Sequence, residues 1–148
     1  MCYLISSNKK HVQNCACGNL RKATRTITQF YDKMLQQTGL RSTQCLLLLD
    51  ISLNKNISVS NLANILLMDQ STVTRNIELL RKSGFIDIKK EGLDSRKKCI
   101  FITDKGLKKL EESKPILNKA QNKIENGIGK ARIEELLKIL TDIEKLVE

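Results

Sequence analysis

The sequence predicts a mainly α chain with one small β-hairpin, an α+β class, and three observations predict it. Apolar residues recur at three-to-four spacing along most of the 148 residues, the period of helices buried on one side. After Gly84 the period changes to two. Phe85, Ile86 and Ile88 lead out, Cys99, Ile100, Phe101 and Ile102 return, and residues 91–96 between them have turn composition. Capping residues or glycines stand where the helices should begin and end. The length suits a single domain over 1–148 with a real core. Aromatics are scarce and tryptophan is absent, so that core must rest on Leu and Ile.

Residues 1–10 read as a loose arm. Met1-Cys2-Tyr3-Leu4-Ile5 is too short for a signal h-region. No apolar run approaches the ~20 residues of a membrane span, so the expectation is a cytoplasmic protein with no membrane partner. Over about 12–37, Leu20, Ala23, Ile27, Phe30 and Met34 form a seam of coiled-coil type, which Gly39 ends. Ser42 can cap a helix over 43–52. There Cys45, Leu46, Leu47, Leu48, Leu49 and Ile51 are apolar nearly all round, as in a helix central to a core.

Ser58 can cap a helix beginning at Val59, with Leu62, Ala63, Ile65 and Leu66 as its stripe. The stripe stops at Leu67-Met68, and Asp69 offers a second N-cap. Over 70–83 the apolar positions are Val73, Ile77 and Leu80, with Leu79 extending the buried edge. Gly84 stands where a helix ends in a left-handed residue. The other face begins with Gln70, Ser71, Thr72, Thr74, Arg75 and Asn76, and no acid precedes Glu78. Such groups match the donors and acceptors of a DNA major groove, where arginine pairs bidentately with guanine. A solvated polar face is the plainer reading, but Ser and Thr are mediocre helix formers and their concentration needs a further reason.

The hairpin that follows is lopsided in charge. Lys89, Lys90, Arg96, Lys97 and Lys98 oppose Glu91 and Asp94, which suits phosphates or a minor groove. Thr103 can then cap a long helix to about residue 127, with Leu107, Leu110, Ile116, Leu117, Ala120 and Ile124 as its apolar edge. Pro115 should bend it, and Gly127 and Gly129 should break it. A last helix carries Ile133, Leu136, Leu137, Leu140, Ile143 and Val147 on one stripe. These two C-terminal helices have more apolar surface than one protomer can cover, and a symmetric dimer built from the first helix and the last two is the economical solution.

The formal net charge is +10: residues 1–56 carry +6, residues 57–106 carry +3, and residues 107–148 carry +1. A basic excess favours polyanions, while the near-neutral last third fits packing against protein. With one histidine, no glycine-rich phosphate loop and no His-Glu-x-x-His or Gly-x-Ser-x-Gly motif, nothing points to an enzyme or a bound cofactor.

Together these motifs resemble the MarR family of transcription regulators. The resemblance rests on residues 69–75, on the exit Leu80-Arg81-Lys82-Ser83-Gly84-Phe85-Ile86, and on Asp94-x-Arg96 followed by Ile102-Thr103-x-x-Gly106. Ile102 stands where the family usually has leucine, and Gln70 where it often has a basic residue. The resemblance spans about residues 14–147. It implies a winged helix-turn-helix over about 42–106, flanked by N- and C-terminal dimerisation helices at about 12–37 and 107–147. It also implies a homodimer on pseudo-palindromic double-stranded DNA, generally a repressor released by a small-molecule effector or an oxidant. On that reading Ser71, Thr72, Thr74 and Arg75 contact the groove, flanked by Gln70 and Asn76. Arg96 enters the minor groove with Asp94 holding it extended. Lys89, Lys90, Lys97 and Lys98 meet phosphates, and Ser58 and Ser60 bind phosphate near a helix N-terminus. Arg25 and Arg41 could border an effector crevice or solvent.

Five cysteines in a cytoplasmic chain argue against a disulfide framework. Cys45 and Cys99 sit in apolar runs, as small core residues do. Cys15 and Cys17 lie beside His11 and the basic Arg21-Lys22, surroundings that can lower a thiol pKa. They leave three readings open: no regulatory role, a redox sensor, or a soft-metal sensor with His11. The spacing is not that of a zinc site. An architectural protein binding DNA without sequence preference is the remaining alternative.

Overall fold

The computed structural model describes residues 15–54, 56–90 and 98–146. Its elements are α1 (Ala16–Leu35), a 3-10 turn (Gln36–Thr38), α2 (Ser42–Leu53), α3 (Val59–Ile65), α4 (Gln70–Lys82), β1 (Ile86–Lys90), β2 (Lys98–Ile102), α5 (Asp104–Ile128) and α6 (Lys130–Lys145). The strands pair antiparallel, Ile86 opposite Ile102 and Ile88 opposite Ile100. Among the described residues a mainly α fold with a single hairpin is therefore what forms. No helix among the described residues is long and apolar enough to cross a membrane.

Leu35, Leu47, Leu48, Leu62, Val73, Ile77, Leu80 and Ile100 are buried together. Burying each such side chain stabilises by roughly 1.5–3 kcal/mol. One strand contact was not legible in the sequence. The Ile100 N–H donates to the Ile57 carbonyl at 2.8 Å, so Ile57, between α2 and α3, forms an antiparallel bridge to β2 at the hairpin edge.

The first helix tightens into its 3-10 turn before Gly39 adopts φ 74°. Its expected start near residue 12, and the arm before it, lie outside the described residues. Of α1 only Leu35 is buried; Ile27 is exposed, so the seam stands open in the protomer. Ser42 does not cap α2. Arg41 occupies that position, its N–H donating to Gln44 Oε1 at 2.9 Å, while the Ser42 N–H and hydroxyl both donate to Asp32 Oδ1 at 2.7 Å. A carboxylate from α1 is the stronger acceptor, and it ties the two helices together.

α2 is less central than its composition suggests. Cys45, Leu47, Leu48 and Ile51 are buried, against α5 and β2 among others, but Leu46 and Leu53 are 53% and 71% exposed, because α2 packs on one side only. Two further apolar residues miss the core. Ile65 of the short α3 is exposed, and Leu79, about 200° round the helix from Ile77, faces outward too. Cys45 and Cys99 are buried as expected, and burial pushes the Cys45 thiol upward against a hydrogen bond to Ser113 that lowers it.

Thr103 caps α5 as anticipated, its hydroxyl oxygen accepting the Gly106 N–H at 3.1 Å. The helix passes through Gly127 and stops only at Gly129, whose φ is 102°. Gly127 keeps helical geometry at the modest cost glycine carries there. Pro115 sits inside α5 without interrupting it. In α6 only Ile133 is buried, while Leu136, Leu137 and Ile139 remain exposed; Val147 lies outside the described residues.

Candidate nucleic-acid interface

α3 and α4 are built by their caps. Ser58 Oγ accepts the Asn61 N–H at 3.1 Å, fixing the start of α3. Between the helices Leu67 takes φ 49°, and the Met68 N–H reaches back to the Ala63 carbonyl at 2.9 Å, the closing bond of a left-handed helix end. Asp69 then caps α4, accepting the Thr72 N–H at 2.8 Å. Val73, Ile77 and Leu80 anchor α4 in the core, which turns the opposite face outward. Gln70, Ser71, Thr74 and Arg75 are exposed and Thr72 and Asn76 half-buried.

This face is internally bonded. Gln70 Nε2 donates to Ser60 Oγ at 3.2 Å, joining α4 to α3. Thr74 Oγ1 donates to the Gln70 carbonyl at 2.7 Å, and Asn76 Nδ2 to the Thr72 carbonyl at 2.9 Å. The hydroxyls of Ser71 and Thr72 both donate to the Asp69 carboxylate. By contrast, the Arg75 guanidinium has no hydrogen-bond or ion-pair partner among the described residues. The sequence named Asp69 as a cap but not as the hub of its neighbours' hydroxyls. The spacing Asp69-x-Ser71-Thr72 was the available signal.

The Asp69 carboxyl is held down from its ordinary 3.8 to about 2, first by the Ser71 hydroxyl and then by the Thr72 hydroxyl and N–H. A depressed folded value means the cap contributes fully above the ordinary value of 3.8 and is lost as pH falls toward about 2. Wild type should therefore melt above Asp69→Ala by a constant margin at pH 5–7 that shrinks below about pH 4. A margin that holds or widens on acidification contradicts the assignment.

The hairpin is clamped to α4 from below. Gly84 takes φ 74°, and its carbonyl accepts the Thr103 hydroxyl at 2.7 Å. Lys105 Nζ donates to the Ser83 carbonyl at 2.7 Å and lies 5.3 Å from the centre of the Phe85 ring. On the strands Lys98 is exposed, and so is Lys89, its Nζ 5.6 Å from the Phe101 ring centre. Asp94, Arg96, Lys97 and the Lys90 side chain lie outside the described residues. Ser58 is engaged as a cap, whereas Ser60 is exposed beside Gln70.

Away from this surface, Cys15 is half-buried just before α1, its carbonyl accepting the Asn19 N–H at 3.0 Å. Cys17 is exposed in an open groove with Arg21, Lys22 and Arg25. Arg41 borders a separate cleft of about 450 Å³ with Gln29, Asp32 and Lys33. Among the described residues no cluster of three or more His, Cys, Asp or Glu could hold a metal; His11 lies outside them.

The model of the MarR family matches residues 38–97. The transcriptional regulator MosR of M. tuberculosis, solved in complex with DNA, is 31% identical, with 91% of this chain and 99% of that one covered at a TM-score of 0.77. The chain belongs to the MarR family. A second relative is the HTH-type transcriptional regulator BilQ of Clostridioides difficile, 29% identical over 80% of this chain and 82% of its own. The transcriptional repressor CouR, bound to a 23-mer DNA duplex, superposes with a TM-score of 0.84 over 95% of this chain and 99% of its own at 17% identity, a likeness of fold. As a MarR-family member the protein is a transcriptional regulator and not an enzyme, and α3 and α4 with the hairpin make up its winged helix-turn-helix.

Proposed function

We propose that this MarR-family, DNA-binding regulator is a repressor that acts in the cytoplasm as a homodimer on a pseudo-palindromic operator. The observation that carries the reading is the outward polar face of α4, on which Arg75 stands exposed and unpaired among the described residues. Ser71, Thr72, Thr74 and Arg75 contact bases, with Gln70 and Asn76 bracing them. Ser60, Lys89, Lys90, Lys97 and Lys98 meet the backbone, while Asp94 and Arg96 serve the minor groove. The stripe on α1, where Ala23 and Ile27 are exposed beside the half-buried Leu20, and the exposed Leu136 and Leu137 on α6 support the dimer. Two α4 helices related by a twofold axis reach successive major grooves ~34 Å apart.

Arg75→Ala and Lys98→Ala separate base from phosphate contacts. Arg75→Ala should weaken operator binding by roughly 1–3 kcal/mol while barely changing affinity for random DNA. Lys98→Ala should weaken both alike and lower the salt slope by about one. Equal losses for both variants on both DNAs would contradict the assignment.

Release follows from a small ligand or from thiol oxidation. Lys33 and Arg41 at the α1–α2 cleft favour an anionic ligand, and the exposure of Cys17 beside Arg21 favours oxidation. Operator affinity measured with peroxide, on wild type and Cys17→Ser, distinguishes them. Affinity unchanged after the thiol oxidises leaves the ligand route.

A further inference from the structure

The hydroxyls of the α4 face all direct their protons into the protein. Ser71 Oγ donates to Asp69 Oδ1 and Thr72 Oγ1 to Asp69 Oδ2, each at 2.5 Å, and Thr74 Oγ1 to the Gln70 carbonyl at 2.7 Å. A hydroxyl has one proton and two lone pairs. With the proton committed, it turns only lone pairs toward whatever approaches. Arg75, donor-only, is the complement on the same face.

The commitments differ in strength. A bond to a carboxylate is about twice as strong as one between neutral groups, so Ser71 and Thr72 hold their orientation better than Thr74. A free serine or threonine reads either kind of base edge, because its proton can rotate. A hydroxyl anchored on a carboxylate loses that freedom. Cytosine N4 and adenine N6 are donors in the major groove, whereas guanine O6 and thymine O4 are acceptors and would set lone pair against lone pair.

We propose that Asp69 is a positioning residue that fixes Ser71 and Thr72 as acceptors, so that the bases they face carry amino groups, cytosine or adenine, while Arg75 takes guanine. The inference rests on the reading that α4 enters a major groove. Asp69 itself need not touch DNA. It determines which half of the base alphabet its neighbours accept.

Selection from random-sequence duplexes by the full chain tests this, using wild type, Ser71→Ala, Thr72→Val and Asp69→Asn. The positions read by the hydroxyls are those where preference relaxes in Ser71→Ala or Thr72→Val. There wild type should favour adenine or cytosine over guanine or thymine on the strand read, by about tenfold. Asparagine caps helices as well as aspartate does, so Asp69→Asn should keep its helix content and bind random DNA no more weakly. Its amide offers one acceptor and one donor group, which turns at least one hydroxyl round. The amino-base preference should vanish or reverse at one of those positions. A guanine or thymine preference in wild type, no position that relaxes, or an unchanged preference in Asp69→Asn overturns the inference alone. Failure of wild type to enrich any sequence overturns the DNA-reading proposal, and this inference with it.

Discussion

Gly106→Ala is expected to dislodge α5 from the wing and lower the melting temperature by roughly 10 °C or more. A Cβ at Gly106 would lie 2.0 Å from the Phe85 carbonyl oxygen and 2.9 Å from Ile102 Cγ1. The carbonyl cannot swing aside, because it accepts the Thr103 N–H at 3.0 Å at the junction where Thr103 also caps α5. Either that bond breaks or the first turn of the helix moves away. The expected cost is at or above the top of the ~1–3 kcal/mol range for overpacking. Gly127→Ala is the control: it lies in the same helix with nothing within 4 Å of the added Cβ, and should be neutral or stabilising by up to about 1 kcal/mol. Thermal melts of the two variants decide the matter. A Gly106→Ala protein melting within about 2 °C of wild type would refute the close-approach argument.

Leu137→Asp should produce monomers and lower operator affinity by about 10²–10⁴-fold, the gain that joining two recognition units provides. Leu137 is 54% exposed in the protomer, whereas the neighbouring Ile133 is buried and holds α6 in place. A carboxylate at 137 therefore costs the protomer little. Buried against a partner helix it would be an unpaired charge in an apolar seam. Sedimentation gives the mass, and titration of operator and half-site duplexes gives the affinity. The variant should bind the half-site as wild type binds it and lose only the advantage of the full operator. A Leu137→Asp protein that stays dimeric, or a monomer that keeps full operator affinity, removes the proposed dimer seam.

The parts of the fold that were legible are those fixed within four residues along the chain. Ser58, Asp69 and Thr103 each accept an N–H three residues ahead, and Gly84 is left-handed where α4 ends. Both the residue type and its spacing are visible in the sequence. Ser42 misled for a long-range reason: an acceptor ten residues back, Asp32, displaced the local cap. Leu79, Ile65 and Leu46 misled because hydrophobicity marks a residue as fit for burial without saying which side of its helix finds a neighbour. The candidate DNA face was legible as a list of side chains, and its hydrogen-bond directions were not.

The sequence by itself determined the order of the elements, the caps of α3, α4 and α5 and the surplus of apolar surface on the C-terminal helices, since periodicity and capping act over one or two turns. Only the tertiary structure decided the Ile57–Ile100 bridge, the Tyr31 hydroxyl's 2.8 Å bond to Gln121 ninety residues away, and the approach of Gly106 to the Phe85 carbonyl. Such contacts depend on how whole helices settle against one another, and no local pattern encodes the angle at which they meet.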